Sequence, residues 1–222
     1  MADRDVDGYP VGDVLPVEGF ETVPEGTNLL VAGPAMTGKR SVVLDLLAAG
    51  RGRGDRTLII TTDASANRIR DQFEAVGGRV SPSYLQTIDA SGSGGSAGGE
   101  GVQLVSSPSD LTGIGIAFTK AVDRMDDADR VRLGFLSLST LLQYVDRERA
   151  FAFFHVLTRR ASAAGYFGAF AIDPSTHEEQ LVNVMTSVFD GMVELRESAS
   201  GVREVRVRGL SGVASAWHEF PL

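Results

Sequence analysis

The chain has 222 residues, no cysteine and a formal charge of −8 at neutral pH. That length suits one α/β domain with a sizeable core, and the absence of cysteine excludes disulfide and thiolate chemistry and fits a cytoplasmic location. No apolar run reaches the roughly 18 residues that a membrane span needs, the acidic start Met-Ala-Asp-Arg-Asp-Val-Asp has no secretory pattern, and the net charge argues against a DNA-coating surface while leaving a local basic patch open.

Residues 1–26 are polar and carry Gly8, Pro10, Pro16, Pro24 and Gly26, so they are expected to wrap the domain rather than form its core. A single domain is expected over 27–222. Residues 27–32 are an apolar run that reads as a buried strand, and residues 41–50 read as a helix with Val43, Leu46 and Leu47 on one face and Gly50 at its end. Between them stands Gly33-Pro34-Ala35-Met36-Thr37-Gly38-Lys39-Arg40-Ser41. The phosphate-binding loop has the pattern G-x-x-x-x-G-K-S/T: backbone N–H groups cradle phosphates, the lysine pairs with them, and the hydroxyl ligates Mg²⁺. Gly33, Gly38 and Lys39 match, whereas Arg40 stands at the hydroxyl position and Ser41 follows one residue late. A plain Gly-Pro turn with a surface lysine is the competing account. Against it, Lys39 and Lys120 are the only lysines in an arginine-dominated chain, and an ammonium and a guanidinium are not interchangeable at a phosphate.

Residues 56–62 form a second strand, and Asp63-Ala64-Ser65 opens a helix with Ile69, Phe73 and Val76 on one face. A short third strand is expected at 84–88. The Gly/Ser-rich residues 91–101 read as a flexible loop. A helix follows Pro108-Ser109-Asp110, with Leu111, Ile114, Phe118, Val122 and Met125 at core spacing. Residues 131–138 predict a fourth strand, 139–164 one helix, 166–172 a fifth strand and 178–188 a helix. Strands at 189–196, 202–208 and about 213–220 close the chain. Alternating strands and helices give a mainly parallel central sheet flanked by helices; the final run of strands predicts an antiparallel extension.

Other constellations are sparse. His155, His177 and His218 lack metal-ligand spacing, and Ser137 and Ser139 lack a matched His/Asp pair. Asp173, His177, Glu178 and Glu179 follow the fifth strand, at the sheet edge where α/β proteins bind ligands; they read either as sensors of a γ-phosphate or a partner, or as a polar loop.

The loop, the element order and three further phrases resemble the RecA/KaiC-like ATPases, in particular short archaeal KaiC-like proteins. The phrases are Val23-Pro24-Glu25-Gly26-Thr27-Asn28-Leu29-Leu30 before the loop, Arg132 to Ser139 as the Walker B strand with its Ser-Leu-Ser, and residues 189–196 with 203–209 as a C-terminal hairpin. The resemblance, over about residues 15–220, implies a RecA-like P-loop domain that binds ATP or ADP through Gly33, Pro34, Thr37, Gly38, Lys39, Arg40 and Ser41. It also implies where this chain departs. The Walker B aspartate that holds Mg²⁺ aligns with Leu136, and the catalytic glutamate at the end of the second strand aligns with Asp63. Both protein anchors of one ion are thus replaced, so Mg²⁺ is expected to be weakly held and no protein metal ligand is assigned. Arg40 either replaces the ion at a phosphate, points away while Ser41 serves by a register shift, or is a solvated helix-terminal arginine. Asp63 either orients a catalytic water or caps the next helix. Arg206 and Arg208 share a strand face and either reach a neighbouring subunit's nucleotide or are a solvated hairpin face. The expected function is a nucleotide-binding regulatory or signalling module with impaired hydrolysis, acting on a protein partner or as a homo-oligomer. A working oligomeric ATPase and a structural module with a relic loop are the alternatives.

Overall fold

A computed structural model describes residues 8–92, 98–125 and 128–220. In chain order the elements are β1 (Tyr9–Pro10), β2 (Thr22–Val23), β3 (Asn28–Ala32), α1 (Lys39–Ala48), β4 (Arg56–Thr61), α2 (Ala66–Ala75), β5 (Leu85–Asp89), β6 (Val102–Leu104), α3 (Leu111–Asp123), β7 (Val131–Phe135), α4 (Leu138–Tyr144), α5 (Arg147–Ala163), β8 (Phe167–Ile172), α6 (Glu179–Thr186), β9 (Gly191–Glu197), β10 (Arg203–Arg208) and β11 (His218–Glu219).

The described residues form a nine-stranded sheet in the order β11-β10-β9-β3-β8-β7-β4-β5-β6, beside the small β1-β2 pair. The strands from β9 to β6 run parallel, and β10 and β11 add the antiparallel extension. The architecture is therefore α/β, with a mostly parallel sheet flanked by helices. Successive side chains of a strand face opposite sides, so β3 sends Leu29 and Val31 to one core and Leu30 to the other. The first core packs Val42, Val43, Leu46 and Leu47 of α1 and Phe73 of α2 against the sheet. The second packs Phe118 of α3, Leu141 of α4, Phe154 of α5 and Met185 of α6. Gly134 in β7 lets α1 come close: a Cβ there would lie 2.5 Å from Leu47 Cδ1.

Several expectations need correction. Within the wrapping segment 1–26, of which residues 1–7 lie outside the described residues, Tyr9, Val11, Leu15, Val17, Phe20 and Val23 are buried in the first core. The segment helps to build the core that it covers. The loop expected at 91–101, of which residues 93–97 lie outside the described residues, leads into an additional strand, β6. Three residues at a sheet edge were too few to carry a periodic signal. The single helix expected over 139–164 is two: Val145 is extended, and Asp146 caps α5 by accepting from the Arg149 amide at 2.9 Å. The strand expected to reach residue 138 ends at Phe135, because the Ser137 hydroxyl caps α4 at the Thr140 amide. β9 belongs to the parallel array beside β3, and the last strand shrinks to two residues.

Candidate functional site

The carboxyl ends of β3, β8, β7 and β4 stand in a row, and each delivers one residue of the site. β3 ends at the loop. Gly33 donates its amide to Ile172 O of β8 at 3.2 Å, and a Cβ on Gly33 would meet Thr37 Oγ1 at 2.5 Å and Leu195 Cβ at 2.9 Å. The loop folds back so tightly that only glycine fits there. Met36 (φ 65°) and Gly38 (φ 90°) take left-handed conformations, a cost that non-glycine residues bear mainly where the surroundings dictate the turn. The Met36 side chain is 90% exposed, so it is the turn, not side-chain packing, that fixes this residue.

The amino end of α1 carries no acidic residue in its first turn, and Gly38 supplies no side-chain cap. The first N–H groups of a helix need partners, and its dipole favours anions. Here the first two residues are instead the cations Lys39 and Arg40. An uncapped helix start bearing two cations is arranged for an anion. The Thr37 hydroxyl donates to Pro34 O at 2.9 Å, and Lys39 Nζ donates to the same oxygen at 3.0 Å. Ser41 lies in the first turn of α1 and is exposed.

Each cation holds a carboxylate. Lys39 Nζ lies 3.3 Å from Asp173 Oδ2 at the end of β8. Burial works against charge on Asp173, yet the Ser175 hydroxyl and amide and the Lys39 ammonium together hold its carboxyl below the usual range. Arg40 Nη2 makes a close ion pair with Asp63 Oδ2, just beyond β4. That contact joins two residues whose roles the sequence left open. Arg40 turns inward across the strand ends, and Asp63 is engaged by a guanidinium instead of capping α2. The cap comes from elsewhere: Asp89, at the end of β5, accepts from the Ala66 amide at 2.8 Å, a contact that sequence reading missed because the third strand was expected to end at Ile88. Between Asp173 and Asp63 stands Leu136, 2% exposed and packed into the core on the α1 side. Its neighbour Ser137 gives its carbonyl to the Thr62 hydroxyl at 2.7 Å, its own hydroxyl being spent on the α4 cap.

Arg206 and Arg208 sit apart from this row, two strands beyond β3: Ala32 is registered with Glu194 of β9, and Glu194 with Arg206 of β10. Both guanidinium groups bind Glu194, with Arg208 Nε at 2.9 Å. Trp217 lies under Arg196 and Arg206, whose guanidinium carbons are 3.9 and 4.4 Å from its ring centroid. His177 follows Asp173, and burial depresses its pKa against the pull of that carboxylate. Its Nε2 is buried without a hydrogen-bond partner.

The residues fit a phosphate tail. The cradle a Cβ would fill at Gly33, the uncapped start of α1 and the ammonium of Lys39 are the features such a ligand uses. The two positions where the resemblance puts the protein anchors of Mg²⁺, an ion that takes oxygen ligands, hold a guanidinium and a buried aliphatic chain. Among the described residues no group of three or more His, Cys, Asp or Glu side chains could hold a metal.

Residues 26–195 match the family of unknown function DUF7504. No curated protein matches the chain. Among solved structures, the KaiC-like protein PH0186 from the hyperthermophilic archaeon Pyrococcus horikoshii OT3 superposes with a TM-score of 0.70 at 17% identity, covering 97% of this chain and 92% of that one. The chain therefore has the fold of a KaiC-like, RecA-type domain.

Proposed function

This chain belongs to DUF7504, a family of unknown function, and from that starting point we propose that it is a nucleotide-binding regulatory module whose Mg²⁺-dependent hydrolysis is impaired. The observation that carries the reading is the Arg40–Asp63 ion pair. Phosphoryl transfer needs a positioned water and stabilised charge on the transferred group. Asp63 is the one residue the sequence offered to orient that water, and here it neutralises a cation. Arg40 stands where the P-loop hydroxyl would be, and a guanidinium supplies none of the oxygen ligands that Mg²⁺ takes.

What remains is binding. The loop amides, the start of α1 and Lys39 accept the phosphates of ATP or ADP, and Arg40 supplies through its planar fork the positive charge that a metal would bring. Occupancy is then passed to a protein partner, or to a second copy that meets Arg206 and Arg208 at the sheet edge. No helix among the described residues is long and apolar enough to cross a membrane, and we place the module in the cytoplasm.

The test is a calorimetric titration of ATP and ADP in EDTA and again in excess Mg²⁺. Affinities within about threefold of each other, with no multiple turnover, are expected. Strong Mg²⁺ dependence with repeated turnover would establish a working ATPase instead. No binding of ATP, ADP or GTP at millimolar concentration would leave a structural module with a relic loop.

A further inference from the structure

The two loop cations differ in what they hold. Arg40 and Asp63 keep 28% and 25% of their side-chain surface, so solvent screens them. Asp173 keeps 10% and Lys39 21%, and the Asp173 backbone is pinned. Its amide donates to Ser139 Oγ at 2.9 Å, and its carbonyl accepts from the Thr176 hydroxyl at 3.0 Å. Its carboxylate divides its work. Oδ1 accepts from the Ser175 amide at 3.0 Å and from the Ser175 hydroxyl, which shapes the Pro174–Thr176 turn. Oδ2 takes Lys39.

We propose that Asp173 is an internal anion that occupies Lys39 when the loop is empty, and that an incoming di- or triphosphate must displace it, so that the turn leading into α6 senses nucleotide occupancy. The proposal rests on the nucleotide-binding reading of the same loop. Two effects push in one direction. A phosphate that pairs with Lys39 takes the cation from Oδ2, and it sets a like charge beside the carboxylate that stays behind. Oδ2 then has no partner in a poorly solvated place, which is costly. The side chain answers by turning away, and because Oδ1 organises the Pro174–Thr176 turn, that motion reaches His177 and the start of α6. Buried His177 Nε2, unpartnered when the loop is empty, lies on this path. Asp173 thus lowers affinity and in exchange reports the ligand to a helix that the phosphates never touch.

The experiment measures binding of ADP and of inorganic pyrophosphate, both in EDTA, to the wild-type chain and to Asp173→Asn and Asp173→Glu. Asparagine keeps an oxygen for Ser175 and removes the charge. The expected result is affinity at least tenfold tighter for Asp173→Asn, with Asp173→Glu within threefold of wild type. Equal or weaker binding by Asp173→Asn, or tightening by Asp173→Glu as well, overturns the proposal and leaves the nucleotide-binding reading intact as long as the wild type binds. No binding by any of the three removes both. Hydrogen exchange on the wild-type chain gives a check that depends on no variant: the amides of residues 175–179 should exchange faster with pyrophosphate bound, and unchanged exchange overturns the proposal.

Discussion

Two arginine–aspartate pairs mark opposite ends of the sheet, and they show what burial does to the same chemistry. At the amino end, Arg132 and Asp55 keep 0% and 1% of their side-chain surface. Arg132 Nε binds Asp55 at 2.7 Å, Nη1 binds Leu46 O at 2.6 Å, Nη2 binds Pro10 O at 2.7 Å, and the guanidinium lies over the Tyr9 and Phe167 rings. This one side chain ties β7, α1 and β1 together, while Tyr9 Oη accepts from the Val131 amide at 3.1 Å. At the carboxyl end Arg40 and Asp63 are each about a quarter exposed, with few further partners. A buried pair loses about 3–5 kcal/mol when one partner is removed, because the other is left charged and dry. An exposed pair is worth about 1 kcal/mol or less. The first is a fixture. The second can be opened by a ligand of ordinary affinity, as a binding site requires.

The comparison can be broken or sharpened by experiment. The largest effect is expected for Asp55→Ala, which should lower unfolding free energy by about 3–5 kcal/mol in urea denaturation; a loss under about 1 kcal/mol would show that the buried pair is no fixture. Lys39→Ala should reduce nucleotide affinity at least tenfold, about 1.4 kcal/mol, and leave the denaturation midpoint nearly unchanged; unaltered affinity would take the lysine off the phosphates. Asp146→Ala calibrates the scale, since losing the α5 cap should cost about 1 kcal/mol in the same denaturation series. Asp63→Ala should fall below that mark, and Arg40→Thr, which restores the hydroxyl of the loop pattern, should make nucleotide binding more sensitive to Mg²⁺ in calorimetry. The smallest effect concerns acid. Asp173 has a depressed folded-state pKa, so the stability it contributes is present above its unfolded value and is lost as pH falls below about 3.8 and through the folded value. Denaturation of wild type and Asp173→Asn should therefore converge in that window and separate above it.

Much of the frame was legible because it rests on local pattern. The buried runs ending at Ala32, Thr61 and Ile172 are long and apolar, and a loop with Gly33, Gly38 and Lys39 between strand and helix needs no tertiary knowledge. Direction was harder. Nothing local in Gly191–Glu197 separates a parallel strand beside β3 from an antiparallel hairpin arm, because its outer neighbour β10 is antiparallel and close in sequence. The break at Val145 was marked only by Asp146 as a possible cap, in a run otherwise helical by composition. The site was legible residue by residue but not in its pairings. Arg40 and Asp63 are 23 positions apart, and Lys39 and Asp173 are 134 apart, so each contact exists only because parallel strands end at the same edge of the sheet, neighbours β3 and β8 for the lysine, and β3 and β4 with two strands between them for the arginine. Arg132 left a signal that went unused: an arginine inside an otherwise apolar strand needs a buried acid, and Asp55 precedes the strand next to it in the sheet.

The clamp on Trp217 has a practical consequence. It is the sole tryptophan of the chain, and with Arg196 of β9 and Arg206 of β10 against it its emission responds to two cations. Any shift of either arginine away from the ring will change the colour and intensity of the fluorescence, so the molecule carries a built-in optical gauge of that hairpin, separate from the events at its lysine.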